Sequence, residues 1–546
     1  MNITLVNLPK SFSGQVGEPY GLEMLAASLK GRHNVRVLDA QIMKNNGELL
    51  AALKNSKPAP DVIGISAQPS SQSELTALVR GLDRVGGRPL VVVGGHLVSS
   101  AREIVLEKNP LVDVGVVGMG GAALSDIVDA YGGGSTFEGM PNIIFRLNGK
   151  IISTRRSPVS LDGIPWADRA LYEEYCGKGL IDPSKVMIFK SGGCAGICSF
   201  CMVHEFFPRS KMDGMANTSW LTRSPTDVSE EMMHLFNAYW KNCGKDKFTF
   251  DFVDSDAFGL RPGDWTEISA NLKKSGLSGR INYWISLRLD EFINNQDVLA
   301  SMASTGLAGV FLGLESSIPS DLRVYRKNLT VFGKQFDLDA ATLEQMVSNV
   351  KIFCARHNLR LKLGWVNVHA DSCLSDVKDS IAFLERNHLL YNVGSIIKQV
   401  AVYRGSTIFK QYASRGLITE FDEGAEWMDK KCPYQIIDPQ VSRLIGYFKR
   451  FKTLVLPKED ELRTNIRFVG LDADNSITEF KYYRLHRDVE YSVTMHFIKL
   501  VEQNAPDKEF LDAIVGAQKK YVSIFGEYLL ARESQVRNPS NDSSTV

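Results

Sequence analysis

The sequence predicts an α/β protein: a doubly wound parallel sheet, then a partial βα barrel of the TIM-like kind, then a helical C-terminal region. Three observations carry this. Short β-branched runs alternate with helix-length segments over about the first 130 residues; the alternation returns from Val186 to about Ala413; and beyond it the apolar positions recur at helical spacing. A length of 546 residues accommodates about three domains at roughly 100 to 200 residues each. The expected divisions are residues 1–140, a connector over 141–185, the second α/β domain over 186–413 and the helical region over 414–546.

In the first domain the strand runs are Ile3 to Val6, Val35 to Leu38, Val62 to Ser66, Leu90 to Val93 and Val114 to Val117. Parallel sheets covered by helices on both faces read as such continuous apolar runs. Their ligands sit outside the carboxyl ends of the strands. The residues to read are therefore Asn7 to Pro9, Asp39 and Ala40, Ala67 to Ser71, Gly94 to His96, and Gly118 to Gly121. The connector contains Asn148-Gly149, a hairpin signal, and the turn Leu161-Asp162-Gly163-Ile164-Pro165. Six further strands are expected in the second domain: Val186 to Lys190, Phe248 to Val253, Ile281 to Ser286, Gly309 to Leu314, Leu361 to Val368 and Ile396 to Tyr403. The helix after the first opens with Ser224-Pro225-Thr226-Asp227, an N-cap, a proline at N1 and an acid at N3. In a βα barrel the chemistry sits at the carboxyl ends of the strands. The final Glu533 to Val546, rich in Ser, Asn and Pro, reads as a frayed tail.

Composition narrows the function. With 63 Lys and Arg against 62 Asp and Glu, the chain has no cationic footprint for a phosphate backbone or an anionic membrane. The expected partner is a small-molecule substrate, with neither nucleic acid nor membrane. The opening MNITLVNLPK has no basic segment leading into a long apolar one, so no secretory signal is read there. Apolar runs such as Leu90 to Val93 fall far short of the roughly 18 to 20 residues that span a bilayer. A cytoplasmic enzyme is expected. Eight cysteines are too few for a disulfide scaffold, but three of them fall within eight positions and none lies in the first 175 residues.

Those three follow the strand Val186 to Lys190, in Ser191-Gly192-Gly193-Cys194-Ala195-Gly196-Ile197-Cys198-Ser199-Phe200-Cys201. Three thiolates on a Gly-rich loop wrap one face of a metal centre, whereas tetrahedral zinc takes four protein ligands, for which His204 is the available fourth. Three ligands on a four-iron cluster leave one iron open. The spacing, with the aromatic Phe200 before the last cysteine, resembles the cluster motif of the radical S-adenosylmethionine (SAM) superfamily. Further landmarks are similar: Arg223-Ser224-Pro225, Phe252-Val253-Asp254-Ser255-Asp256, Leu287-Arg288-Leu289-Asp290, Gly313-Leu314-Glu315-Ser316 and Arg404-Gly405-Ser406-Thr407. The resemblance implies a [4Fe-4S] cluster on Cys194, Cys198 and Cys201, its open iron chelated by SAM. A zwitterionic ligand needs an acid, a donor and polar groups for its ribose, and Asp254, Asp256, Ser286, Arg288 and Glu315 stand at strand ends to supply them.

Residues 1 to about 140 resemble the cobalamin-binding domain found in part of that superfamily, through Glu18-Pro19-Tyr20-Gly21-Leu22, Val37-Leu38-Asp39-Ala40, Gly94-Gly95-His96 and Val116-Val117-Gly118. The resemblance implies cobalamin contacts at Gln68, Pro69, Ser70, Gly94, Gly95, His96, Gly118 and Gly120, with small residues admitting the corrin and its nucleotide tail. Two departures matter. The DxHxxG motif that would give the cobalt a histidine is replaced by the stretch Pro9 to Pro19, and the usual GEGE after the fifth strand is Gly118-Met119-Gly120-Gly121. His96 is read as a backbone or tail contact rather than a cobalt ligand. The same glycines half match a dinucleotide fingerprint, but that motif follows the first strand of its fold.

The resemblance implies methylation of an unactivated carbon or phosphorus centre of a small molecule, in natural-product biosynthesis such as that of antibiotics. A 5′-deoxyadenosyl radical takes a hydrogen atom, methylcobalamin donates the methyl group, and a flavodoxin or ferredoxin supplies electrons. A cobalamin-linked oxidative cyclase or rearrangement enzyme is the alternative. A second cluster of the methylthiotransferase kind is not expected, since it would need an amino-terminal cysteine triplet.

Overall fold

A computed structural model of the chain describes residues 1–8, 16–82, 88–157, 159–207, 210–212, 215–327, 329–331, 334–335, 339–419, 432–468 and 473–537. The chain divides into two compact units, Met1–Leu307 with Ala401–Pro433, and Ala308–Val400 with Tyr434–Val546.

The first unit opens with a seven-stranded sheet: β1 (Asn2–Asn7), β2 (Asn34–Asp39), β3 (Val62–Ser66), β4 (Leu90–Gly94), β5 (Val114–Val116), β6 (Ile143–Leu147) and β7 (Lys150–Ser153). Its order is β2-β1-β3-β4-β5-β6-β7, with the first five strands parallel. Each of those five coincides with an expected apolar run to within two residues at either end. Successive residues feed opposite cores. Ile63, Ile65, Val91 and Val93 pack with Leu49, Leu75 and Leu78 on one face, while Val62, Leu90 and Val92 pack with Leu22, Ala26 and Leu124 on the other. Two helical layers on a sheet of period two are what a doubly wound fold requires. The Asn148-Gly149 turn, with φ of 49° and 77°, closes the β6–β7 hairpin, and β6 pairs antiparallel with β5.

Next come β8 (Lys185–Ile188), β9 (Ser191–Cys194), β10 (Ser210–Met212), β11 (Met215–Thr222), β12 (Phe248–Phe252) and β13 (Ile281–Arg288). β8, β12 and β13 are parallel neighbours, while β9 and β10 flank β11 in a small antiparallel sheet that the apolar pattern did not foretell. Pro225–Tyr239 is helical as expected, capped by the Ser224 hydroxyl, which accepts the Asp227 N–H at 3.2 Å.

The second unit holds β14 (Leu307–Glu315), β15 (Thr330–Val331), β16 (Lys334–Gln335) and β17 (Arg360–Trp365), with β14 and β17 parallel. The expected strand Ile396 to Tyr403 is not one. Here it makes only a bridge between Val368 and Gln399. The Asn367 side chain occupies its backbone instead, donating to the Ile396 carbonyl at 3.1 Å and accepting from Lys398 N–H at 2.9 Å. The C-terminal region is helical, in Pro439–Phe468, Ala473–Glu502 and Asp507–Arg537, around a core that includes Leu444, Phe448, Phe497 and Phe510. The tail beyond residue 537 and the stretch Pro9 to Gln15 lie outside the described residues.

Candidate functional site

The cysteine loop is built by β9 against β11, with Cys194 opposite Ser219 and Gly193 opposite Trp220. Gly193 takes φ of 91°, and a Cβ there would lie 1.5 Å from the Ser219 carbonyl oxygen, so no other residue fits. Cys201 N–H then donates to the Cys198 carbonyl at 3.1 Å, making a turn that carries Phe200 half-buried. The turn is tied down where the Ser199 carbonyl accepts the Ile408 N–H at 2.9 Å. None of the three is in a disulfide, and all are half-buried. Burial, with Asp256 adding to it, pushes the Cys194 thiol well above its ordinary value, and Arg288 works against them.

Two buried carboxylates hold this loop. Asp254, at the end of β12, accepts the Lys190 N–H at 3.0 Å and both the backbone N–H and the hydroxyl of Ser191. Desolvation raises its carboxyl to about 6. Asp256, with no exposed surface, accepts from Ala195 N–H and Gly259 N–H, each at 2.9 Å, while its carbonyl accepts from Trp220 Nε1 at 2.9 Å. Both acids, expected from the sequence to contact SAM, bond the backbone of the cysteine loop.

Trp284, Ser286 and Arg288 share the half-buried face of β13. Arg288 makes a forked pair with Asp290 at 3.1 and 3.0 Å, and its Nη1 lies 2.2 Å from where a Cβ on Gly196 would stand, so the loop backbone packs on the guanidinium. Glu291 is a site residue the sequence reading missed. Its carboxylate accepts the Arg288 N–H at 3.0 Å, and burial together with the neighbouring Asp256 raises its carboxyl well above normal. The available signal was an acid three residues after Arg288, at the start of a helix. Glu315 belongs to the second unit, where it takes φ of 69° and pairs with Lys327 at 3.2 Å.

The other set of expected residues gathers on the adjacent strand ends of β3, β4 and β5. Gln68, Pro69 and Ser70 form a 3-10 turn closed by Ser71, whose Oγ accepts the Gln68 N–H at 2.9 Å. Gly94 and Gly95 lead into the helix His96–Ala101. The exposed His96 ring stacks 4.5 Å from Phe206. Gly118, with φ of 87°, donates to Ser99 Oγ at 2.9 Å, and a Cβ there would lie 2.6 Å from the Phe206 carbonyl oxygen. Gly120 caps the helix Gly121–Gly132. The glycine at 118 is thus required by a protein contact, whatever else it admits. A shallow cleft lies alongside, lined in part by Met119, Asn142, Phe206 and Phe207.

The donor chemistry fits the implied groups. Three thiols on one loop suit a cluster with an open iron. Among the described residues no three His, Cys, Asp or Glu side chains stand as a ready-made metal site. None of the eight residues on the β3 to β5 strand ends carries a carboxylate, an ammonium or a guanidinium, which suits a large cofactor held by backbone and shape.

These features define a class: a parallel sheet with small residues at its strand ends, and a βα domain with a three-thiol loop. Residues 12–128 match the B12-binding domain family. The chain is 27% identical over 339 residues to the uncharacterized methyltransferase PH0819 of Pyrococcus horikoshii, an alignment covering 60% of this chain and 69% of that protein. It is 24% identical over 323 residues to the hopanoid C-3 methylase of Methylococcus capsulatus, covering 59% and 57%. It is also 24% identical over 317 residues to the anaerobic magnesium-protoporphyrin IX monomethyl ester cyclase of Synechocystis, covering 57% and 59%. The alignments thus span 57% to 69% of these relatives' lengths. Its fold is that of OxsB, a cobalamin-dependent S-adenosylmethionine radical enzyme, with a TM-score of 0.72 at 14% identity, covering 99% of this chain and 82% of that one. A B12-binding domain is present, and the fold is the one cobalamin-dependent radical SAM enzymes use. No helix among the described residues is long and apolar enough to cross a membrane.

Proposed function

We propose that the protein is a cobalamin-dependent radical SAM methyltransferase, acting on an unactivated carbon or phosphorus centre of a small molecule in natural-product biosynthesis. The observation that carries this reading is one chain holding both a B12-binding domain and a three-thiol loop at the end of a βα strand. When bound, the cluster and SAM supply a radical that takes a hydrogen atom from substrate, and the corrin supplies the methyl group.

The chain's own part is to bind and orient. Cys194, Cys198 and Cys201 hold the cluster, and Asp254 and Asp256 hold the loop that presents them. Ser286 and Arg288 face SAM from β13. Gln68 to Ser70, Gly94 to His96, Gly118 and Gly120 line the corrin. Electrons come from a flavodoxin or ferredoxin in the cytoplasm.

A second reading, oxidative cyclisation without methyl transfer, is favoured by the cyclase among the relatives. Anaerobic reconstitution tests the first reading. About four iron, four sulfide and one corrin per chain are expected, with a product heavier than substrate by one methylene unit. Failure to bind stoichiometric corrin removes the methyl-transfer reading, and a product lacking the added methylene favours cyclisation.

A further inference from the structure

A group of buried charges lies away from the cysteine loop. Arg169 pairs with Glu18, reaches Glu23 at 3.6 Å and Glu231 at 3.4 Å, and is 7% exposed. Glu231 in turn accepts from Arg223 at 2.6 Å. Three buried carboxyls face two guanidiniums, and the half-exposed Asp227 completes the set from Arg223 Nε at 2.7 Å. Charges this deep are costly unless they serve each other or something else.

They serve the backbone of β8. That strand pairs with β12 on one side only, and Val253 N–H takes the Ile188 carbonyl there. On the open edge the Met187 N–H donates to Glu18 at 2.9 Å and the Met187 carbonyl accepts from Arg169 at 2.8 Å. One acid and one base thus complete the hydrogen bonds that a neighbouring strand would have made. Glu18 stands two residues before the first-sheet helix Tyr20–Leu29, and Glu23 within that helix accepts the Tyr172 N–H at 3.0 Å. Tyr20, Phe189 and Leu161 pack around the group, and the Arg169 guanidinium lies 5.0 Å from the Tyr20 ring centre. Met187 stands only four residues before Ser191, where the cysteine strand β9 begins.

We propose that Glu18 and Arg169 are positioning residues that clamp β8 to the first sheet's helix and so set where the cysteine loop stands relative to the strand ends of β3 to β5. This rests on the function proposed above. In that reaction SAM has two fates. Reductive cleavage to methionine and a 5′-deoxyadenosyl radical needs the loop and one electron, and the radical becomes 5′-deoxyadenosine by taking a hydrogen atom from substrate or, without one, from the chemical reductant or buffer. Methyl transfer to the reduced corrin breaks the S–CH3 bond, leaves S-adenosylhomocysteine and needs loop and sheet in register. The clamp therefore governs the second fate and not the first.

The test compares Glu18→Ala and Arg169→Met with the conservative Glu18→Gln, which keeps an acceptor for the Met187 N–H. In the cofactor-free full chain, hydrogen exchange at the Met187 amide should quicken about tenfold in Glu18→Ala and stay near wild type in Glu18→Gln. In the reconstituted enzyme with a chemical reductant, S-adenosylhomocysteine formation should fall about tenfold in Glu18→Ala and Arg169→Met and stay near wild type in Glu18→Gln, while 5′-deoxyadenosine formation stays within about twofold in all three. A parallel fall of both products, or no change in either with corrin and cluster bound, overturns the proposal. Absence of corrin from the wild type overturns the functional reading beneath it, and the exchange result then describes edge capping alone.

Discussion

The cysteine loop and the strand ends of the first sheet, the two candidate sites, are built by opposite means. The loop is gripped by buried carboxylates: Asp254 and Asp256 between them take N–H groups from Lys190, Ser191, Ala195 and Gly259. The strand ends use no charge at all, only a 3-10 turn, glycines and the backbone. A metal cluster bound by three short side chains tolerates little displacement, so its loop is pinned by strong charge-assisted hydrogen bonds. A corrin is large, and many weak contacts with small residues suffice.

If that contrast is right, the loop should be brittle and the strand ends forgiving. The largest effect is expected from Cys198→Ala, which should lose most cluster iron and all SAM cleavage while retaining corrin and its melting temperature. Iron analysis beside the visible corrin spectrum checks both halves.

Asp254→Ala comes next. It strands buried donors on Lys190 and Ser191, each worth about 1 to 3 kcal/mol, so a loss of about 4 kcal/mol in denaturant unfolding is expected. A loss below about 1 kcal/mol would mean the carboxylate is not what holds the loop.

A pH effect ranks third. Burial beside Glu18 pushes the Glu23 carboxyl up to about 9. The native state therefore keeps a proton that the unfolded chain gives up near 4.5, and wild-type stability should fall as pH rises from about 5 to 9. Glu23→Gln should flatten that slope, with a difference of about 2 to 3 kcal/mol across the window, since Glu18 and Arg169 share the load. Thermal melts of both proteins over this range would decide it, and equal slopes would place the proton elsewhere.

At the strand ends the effects shrink. Gly118→Ala forces a left-handed backbone and a contact with the Phe206 carbonyl, for a cost of about 1 to 2 kcal/mol and weaker corrin retention. His96→Ala should change stability by less than about 0.5 kcal/mol and leave the corrin absorption spectrum untouched. A shifted spectrum would make His96 a cobalt ligand after all.

Residues close in sequence were legible to different degrees. The strands β1 to β5 could be read because each is a short run rich in Val, Ile or Leu, and the cysteine loop because its donors lie within eight positions. The β9–β11 pairing was not legible, since Gly192-Gly193 has no apolar pattern and its partner lies more than twenty residues away. Ile396 to Tyr403 has the composition of a strand, yet Asn367 takes its hydrogen bonds.

By itself, then, the sequence determined which chemistry is present: three thiols in one turn, small residues after β4 and β5, and the order of α/β units. Those depend on neighbours along the chain. Only the tertiary structure decided what the charges do. Asp254 meets Ser191 across 63 positions and Glu18 meets Met187 across 169. An isolated Asp or Glu at the end of an element reads the same whether it binds a ligand or a backbone amide. What separates the two is which N–H groups packing has stripped of water beside it, a property of the folded chain alone.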